Sequence, residues 1–390
     1  MANDDIEQQR REAVRRVQDG EPVAAVAEAL GRSEPWVRKW AARHDPDEDG
    51  WAVSHSRAPD TVANRTDEQV ESAVVEVRQQ LAGNPWAQVG PAAIAWELSK
   101  RDDVEQVPGP RTIARILVRH DVDRRPRRQR YEPKGTDYPD PPDLEPNDCQ
   151  QADLVGPRHL VGGARFYAVN AVDLGRRKAA GVIVASKSAV ATCGALGAIW
   201  RRLGVPRRLQ LDNQQALAGA GRSPGHTVRF CLSHGVTPTF IPYSEPWRNG
   251  VVEHFNDTFD KQFFRTEIFD SVGRVATRYD QFLDFHNANH RYSALAGRTP
   301  DQAEAAAGFT VQPPDPDIDA PAGFAGLSGR VEYIRLIRSD TTLRLLDLAF
   351  PMPDDVVYEY VTAVLDIDDQ HLDVLHHGAR VARFPCPLPD

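Results

Sequence analysis

Three acids sit where short apolar runs end or give way to loops: Asp153 within QADLV, Asp212 closing LQLDN, and Glu253 within PYSEPWRNGVVEHFNDTF at 242–259. Asp153 and Asp212 have apolar neighbours, where an unpaired charge is costly. Carboxylates gathered together repel one another unless a cation lies between them, and hard divalent ions, Mg²⁺ or Mn²⁺, suit such oxygen ligands. Two such ions a few ångströms apart would clamp the attacking and leaving oxygens of a phosphodiester in an in-line displacement. Each acid also has a plainer role open to it. Asp153 could be an edge-strand acid, Asp212-Asn213 turn chemistry, and Glu253 a first-turn acid favoured by the helix dipole. Asp173, in AVDLGRR, is a fourth candidate, but its neighbours assign it to a hairpin turn.

For the acids to meet, residues 149–311 must fold as one unit. CQQADLVG, RFYAVNAVDL and KAAGVIVAS read as strands, with Gly162-Gly163 and Gly175 at the turns. AVATCGALGAIWRRL reads as a helix, RRLQLDN as a strand, HTVRFCLSHG as a helix, VTPTFIPY as a strand and 248–264 as a helix. The order is βββαβαβα, with DQFLDFHNANH and TPDQAEAAAGF as peripheral helices.

Upstream, residues 6–44 read as three short helices, turned at Asp19-Gly20 and Gly31 and with Ser33 and Pro35 opening the third. That third helix, EPWVRKWAARH, buries Trp36, Val37 and Trp40 and exposes Arg38, Lys39 and Arg43. This is a helix-turn-helix pattern, with a generic three-helix bundle as the alternative. A second helical unit spans 66–122 and ends in IARILVRH, where Arg111, Arg115 and Arg119 share one face. A solvated basic face is the plainer account of that row. Residues 49–65 read as a polar linker. A second linker, 123–148, begins with Arg124, Arg125, Arg127, Arg128 and Arg130, which could track phosphates, and continues as a Pro/Asp-rich stretch. After a further Pro/Asp segment at 312–322, five apolar stretches within 325–390 fit a small β-barrel.

Bulk properties narrow the field. The net charge of −9 is uneven: Lys+Arg against Asp+Glu is 22 to 24 over 1–134, 19 to 18 over 135–310, and 6 to 14 over 311–390. Acidity concentrated in the tail leaves the rest free to carry basic faces. Cys149, Cys193, Cys231 and Cys386 are far apart and form no CxxC pair, so neither a disulfide framework nor a zinc site is expected. No apolar run approaches the roughly 20 residues of a membrane span. The charged N-terminus lacks a signal-peptide core, and a cytoplasmic location with no membrane partner is expected.

QADLVG, LQLDN and PYSEPWRNGVVEHFN together resemble the DDE catalytic core of retroviral-integrase-type transposases. HNANHRYSALAGRTPDQ is similar to that group's later Asn, Arg and Thr-Pro signature, and the order of segments resembles bacterial insertion-sequence transposases. The resemblance implies a multidomain α/β chain. It would have a helix-turn-helix domain at 1–48, a winged-helix-like unit at 66–122, an RNase H-like core at 149–311 and a β-barrel at 325–390. It also implies a DNA transposase that cuts and joins the ends of a mobile element, with Asp153, Asp212 and Glu253 holding two Mg²⁺ or Mn²⁺ ions. The partners would be double-stranded DNA and at least a second copy of the chain, at the bacterial nucleoid. A domesticated DNA-binding regulator and a plain nuclease are the alternatives. Gln214 stands where the group usually has Gly, and the interval from Asp212 to Glu253 is longer than usual, an excess assigned to AGAGRSPGH. Asn213, Asn249 and Gly250 are expected to support the site, with Asn249 capping the helix that carries Glu253 and Gly250 letting DNA approach the backbone.

Overall fold

The computed structural model describes residues 2–48, 50–53, 65–122, 137–139 and 144–388, so the arginines at 124–130 lie outside the described residues. The chain divides into two compact units, 1–66 and 67–390.

The first unit holds α1 (Ala2–Gln18), α2 (Val23–Ala29) and α3 (Glu34–Arg43). Ala13, Val26, Ala27 and Val37 close its core, while Trp40 packs with Val14, Trp51 and Ala52. Gly31, at φ +61°, supplies the left-handed turn between α2 and α3. Trp36 is half-buried rather than enclosed. Ser33 occupies the N-cap position of α3 without a side-chain capping bond.

The second unit opens with α4 (Glu68–Ala82), α5 (Pro91–Leu98) and α6 (Pro110–Arg119). Asp67 caps α4 by accepting from Gln69 N at 2.8 Å. Val74, Val77, Ile94, Leu98, Ile113 and Ile116 bury the shared faces. The described residues of this region form no strand, so the wing expected of a winged helix is not seen among them.

The core follows as β1 (Cys149–His159), β2 (Arg165–Asp173), β3 (Ala179–Val184), α7 (Ala189–Leu203), β4 (Arg208–Leu211), α8 (Gln215–Ala218), α9 (His226–Ser233), β5 (Thr237–Phe240) and α10 (Gly250–Thr258). The helices α11 (Val272–Asn289) and α12 (Pro300–Ala307) complete it. Apart from the single turn α8, the element order is the one read from the sequence. A 3₁₀ turn, Pro246–Asn249, leads into α10, and a wide π-helical turn, Phe259–Phe264, follows it.

Strand alternation sets what faces each side of this sheet. On β2, Tyr167, Val169 and Ala171 join the core beneath α7 and α9, while Phe166, Ala168 and Val172 join the core beneath α10 and α11. The same alternation on β1 sends Ala152 and Leu154 to the first face and Val155 to the second. Gln151 and Asp153, four and two residues before Val155, therefore face α10. Val252, Phe255, Phe259 and Phe263 are fully buried against that face, each such burial contributing about 1.5–3 kcal/mol.

The C-terminal region corrects the expectation of a separate barrel. It comprises β6 (Arg330–Leu336), β7 (Thr342–Leu345), β8 (Leu348–Pro351), β9 (Tyr360–Asp366), β10 (His371–His376) and β11 (Ala379–Pro385). Four of these strands extend the core into one nine-stranded sheet of order β11-β10-β9-β6-β5-β4-β1-β2-β3, and β7-β8 stand apart as a hairpin. The junction is parallel pairing of Thr239 with Glu332 and of Phe240 with Tyr333. The ladder runs open from β6 to β11 instead of closing on itself, because the free edge of β5 accepts β6. Buried residues of both regions, among them Leu211, Phe240, Val331 and Leu365, share one core.

Candidate active site

Asp153 and Asp212 are brought level by strand register. β1 and β4 run parallel, with Cys149 opposite Arg208 and Gln151 opposite Gln210. Carried two residues further, the same offset sets Asp153 beside Asp212, just past the end of β4. Glu253 comes from the first turn of α10, which packs on the face of β1 that carries Asp153.

Two of the three acids sense their neighbours' charge. Burial, then the Asp212 carboxylate, then Glu253 raise the Asp153 carboxyl to about 6, against hydrogen bonds that favour its ionised form. Glu253 is also raised, by burial first and then by Asp212. Among the described residues, no Lys or Arg forms an ion pair with any of the three. Asp173 is held differently, although burial raises its carboxyl too. It is fully buried, pairs with Arg176 at 2.9 Å and accepts from Asn147 N at 2.8 Å. A structural acid here has its guanidinium; the other three have no such cation among the described residues.

The described residues contain a set of potential ligands with all donor atoms within 4.8 Å, but it is Glu359, His376 and His377. Asp153, Asp212 and Glu253 are not in that set. Their chemistry nevertheless fits hard cations: oxygen donors only, mutually repelling, with no internal counter-charge.

Neutral amides orient the acids. Asp153 Oδ1 accepts from Leu154 N at 2.8 Å, and Oδ2 accepts from Asn256 Nδ2 at 2.7 Å. Asn256 Oδ1 accepts from Asn170 Nδ2 at 2.8 Å, and Asn170 Oδ1 accepts from the Tyr279 hydroxyl at 2.6 Å. This chain crosses α10, β2 and α11. Gly181, paired with Asn170 on β3, makes room for it: a Cβ there would strike the Tyr279 hydroxyl and Asn170 Oδ1. Asn256 was not among the residues expected from the sequence, although it lies one turn beyond Glu253 on the same helix face.

The cap of α10 differs from expectation. Asn249 makes no side-chain capping bond. Its Nδ2 donates instead to Ala152 O at 3.1 Å, tying the loop to β1. The cap comes from β1: Gln151 Oε1 accepts from Val251 N at 3.0 Å and Val252 N at 3.2 Å. One strand thus carries Asp153 and anchors the helix that carries Glu253. Gly250 has an ordinary helical φ of −62°, and a Cβ on it would meet nothing within 4 Å. The protein itself therefore does not require glycine at 250, and the space before it is open.

The loop after β4 is held by the C-terminal strands. Asn213 Nδ2 donates to Ile241 O at 2.6 Å, and its Oδ1 accepts from Arg335 Nη2 at 2.8 Å. Arg335 is buried on β6, and its Nη1 donates to Ile241 O at 2.9 Å and Ile334 O at 2.8 Å. The Tyr360 hydroxyl meets both Glu245 carboxylate oxygens at 2.8 Å, and Arg248 pairs with Glu245 at 3.1 Å. Gln214 has φ −59°, exposes its side chain and donates its N–H to Asp212 Oδ1 at 3.1 Å. Glycine is not needed there. In AGAGRSPGH, the backbones of Gly219 and Gly225 touch closely enough to exclude a side chain from either.

The basic residues divide. Arg38 and Lys39 are exposed on α3, although Arg38 pairs with Glu34 at 2.6 Å, and Arg43 is half-buried over the Trp40 ring. Arg111 and Arg115 are exposed on α6. Arg119 is ion-paired with the buried Glu71, which His120 also contacts at 2.9 Å, so Arg119 neutralises an interior carboxylate.

Comparison with known proteins adds two domain assignments. Residues 7–51 match a homeodomain-like domain, and residues 234–300 match an integrase core domain. The chain therefore joins a homeodomain-like helix-turn-helix to an integrase core. The second match contains Glu253 and stops short of Asp153 and Asp212. No curated protein sequence matches the chain. Among solved structures, the chain is similar to the magnesium-bound dimeric form of the HTLV-2 integrase catalytic core domain, at 17% identity over 42% of this chain and 99% of that one, TM-score 0.33. It is also similar to the simian T-cell lymphotropic virus intasome in complex with PP2A regulatory subunit B56 gamma, at 16% identity over 77% and 93%, TM-score 0.38. The BIV integrase catalytic core is a further neighbour, at 15% identity over 42% and 96%, TM-score 0.31. No helix among the described residues is long and apolar enough to cross a membrane.

Proposed function

We propose that this chain is a DDE-type DNA transposase, which cuts DNA strands at the ends of a mobile element and joins them to a target. The observation that carries the reading is the set of three carboxylates from β1, the end of β4 and α10, in which Asp212 and Glu253 raise the proton affinity of Asp153, Asp212 raises that of Glu253, and no Lys or Arg among the described residues pairs with any of the three. Asp153, Asp212 and Glu253 would hold two Mg²⁺ or Mn²⁺ ions. Bound ions supply a Lewis acid for the scissile phosphate and an activated oxygen nucleophile. Asn256 fixes the rotamer of Asp153, and Gln151 fixes the helix bearing Glu253 relative to it. The neutral amides leave the cluster's charge for the ions to balance.

End recognition falls to the homeodomain-like domain through Arg38, Lys39 and Arg43, with Arg111 and Arg115 as phosphate contacts from α6. Handling two element ends together calls for at least two copies of the chain. The test is a labelled-oligonucleotide assay with Mg²⁺ or Mn²⁺. Joining of strands supports a transposase, metal-dependent nicking alone indicates a nuclease, and binding with neither indicates a DNA-binding regulator. Short inverted repeats flanking the coding sequence would add independent support.

A further inference from the structure

A second potential metal site lies far along the sheet order from the three acids. Glu359, His376 and His377 each offer a donor atom, and these atoms all lie within 4.8 Å of one another. His376 ends β10, His377 and Gly378 form the two-residue turn into β11, and Glu359 immediately precedes β9, the strand paired with β10.

Two features separate this cluster from incidental surface histidines. The first is the turn. His377 has φ +47° and Gly378 φ +78°, positive at both central positions as a type I′ hairpin requires, where Asn-Gly or Asp-Gly is the favoured pair. A histidine there bears a conformational cost that asparagine would reduce. Neighbouring strand residues normally point to opposite faces, but the left-handed backbone brings the two imidazoles to the same side, with centroids 4.0 Å apart. The second is an orphaned nitrogen. His376 Nε2 is shut off from solvent and has no hydrogen-bond partner among the described residues. Glu359 Oε2 stands 3.9 Å from it, beyond hydrogen-bond range. A metal ion with bonds of about 2.0–2.2 Å to each donor would span that gap.

We propose that Glu359, His376 and His377 bind a borderline divalent transition metal, zinc(II) foremost, through two imidazole nitrogens and one carboxylate oxygen. Imidazole donors select zinc, nickel or copper over magnesium, so the site is chemically distinct from the all-oxygen cluster at Asp153. Three protein ligands leave a fourth position for water or for a donor from another molecule. Binding ties the β10–β11 turn to the start of β9, on the last strands before the sheet's free edge.

The test uses untagged full-length protein stripped with EDTA. Zinc is titrated against a chromophoric chelator with millimolar magnesium present to occupy the carboxylate cluster, and cobalt(II) is added separately to read ligand-field absorption. The expected result is one tight equivalent of zinc and a visible cobalt spectrum. His377→Asn keeps the turn chemistry, and Glu359→Gln keeps the side-chain shape. Each should weaken zinc binding by at least about tenfold and bleach the cobalt bands, whereas Asp153→Asn should leave both unchanged. Unaltered zinc affinity in His377→Asn, or no stoichiometric uptake by the wild type, overturns the assignment.

Discussion

Arg335 Nη2 donates to Asn213 Oδ1 at 2.8 Å, linking a strand of the C-terminal region to the residue that follows Asp212. The same guanidinium donates to Ile241 O at 2.9 Å, at the head of the loop that leads to Glu253. One buried cation therefore grips the approaches to two of the three acids. Replacing it with methionine keeps much of the packing and strands the carbonyl and amide acceptors, a loss of about 1–3 kcal/mol. Arg335→Met should lower the melting temperature and reduce strand joining more than it reduces DNA binding. Equal losses in binding and joining would make Arg335 a stability residue only.

Asp212→Asn and Glu253→Gln should each abolish metal-dependent nicking and joining while DNA affinity stays close to wild type. The readouts are gel shift and oligonucleotide joining on the same preparations. Joining at the wild-type rate by either variant removes that acid from the site.

Asn256 acts through Asp153. Asn256→Ala removes the 2.7 Å bond to Asp153 Oδ2 and should cost about 10–100-fold in metal affinity or activity, the usual effect of losing a partner that orients a ligand. Titrating Mg²⁺ against rate distinguishes the two, since a positioning role raises the Mg²⁺ requirement. Gly181→Ala should act in the same direction from a greater distance by displacing the Tyr279 hydroxyl.

The raised Asp153 carboxyl fixes a pH dependence. An acid whose folded pKa lies near 6, above an ordinary value of 3.8, binds its proton more tightly when folded. Its contribution to stability is complete below the ordinary value and is lost as pH rises through about 6. Metal-free protein should therefore lose stability across that window, and Asp153→Asn should melt higher than wild type in EDTA at neutral pH. Apparent Mg²⁺ affinity should climb about tenfold per pH unit below 6, as one proton is displaced, and level off above it. A pH-independent difference in melting between wild type and Asp153→Asn would contradict the assignment.

Much of this architecture was legible in the chain. The acids were visible because each interrupts an apolar pattern, and the element order followed from periodicity. What escaped notice was non-local. Gln151 caps α10 from a strand a hundred positions away, whereas sequence reasoning looks for a cap beside the helix and so chose Asn249. The pairing of Thr239 with Glu332 joins two segments that read as separate domains. The hairpin β7–β8 was hidden because Leu346 and Asp347, at φ +52° and +55°, turn the chain without a glycine inside an otherwise apolar run. Arg119 read as one of a basic row because its partner, Glu71, lies on another helix.

The pairing of β5 with β6 also limits how the chain can be dissected. A version ending before residue 330 would leave the outer side of β5 with bare amides and carbonyls, an open seam on which a neighbouring molecule could add its own strand. Such a fragment would be prone to self-association, and any loss of activity in it would mix clumping with missing chemistry. Trimming this protein as if it were beads on a string would cut through a single fabric.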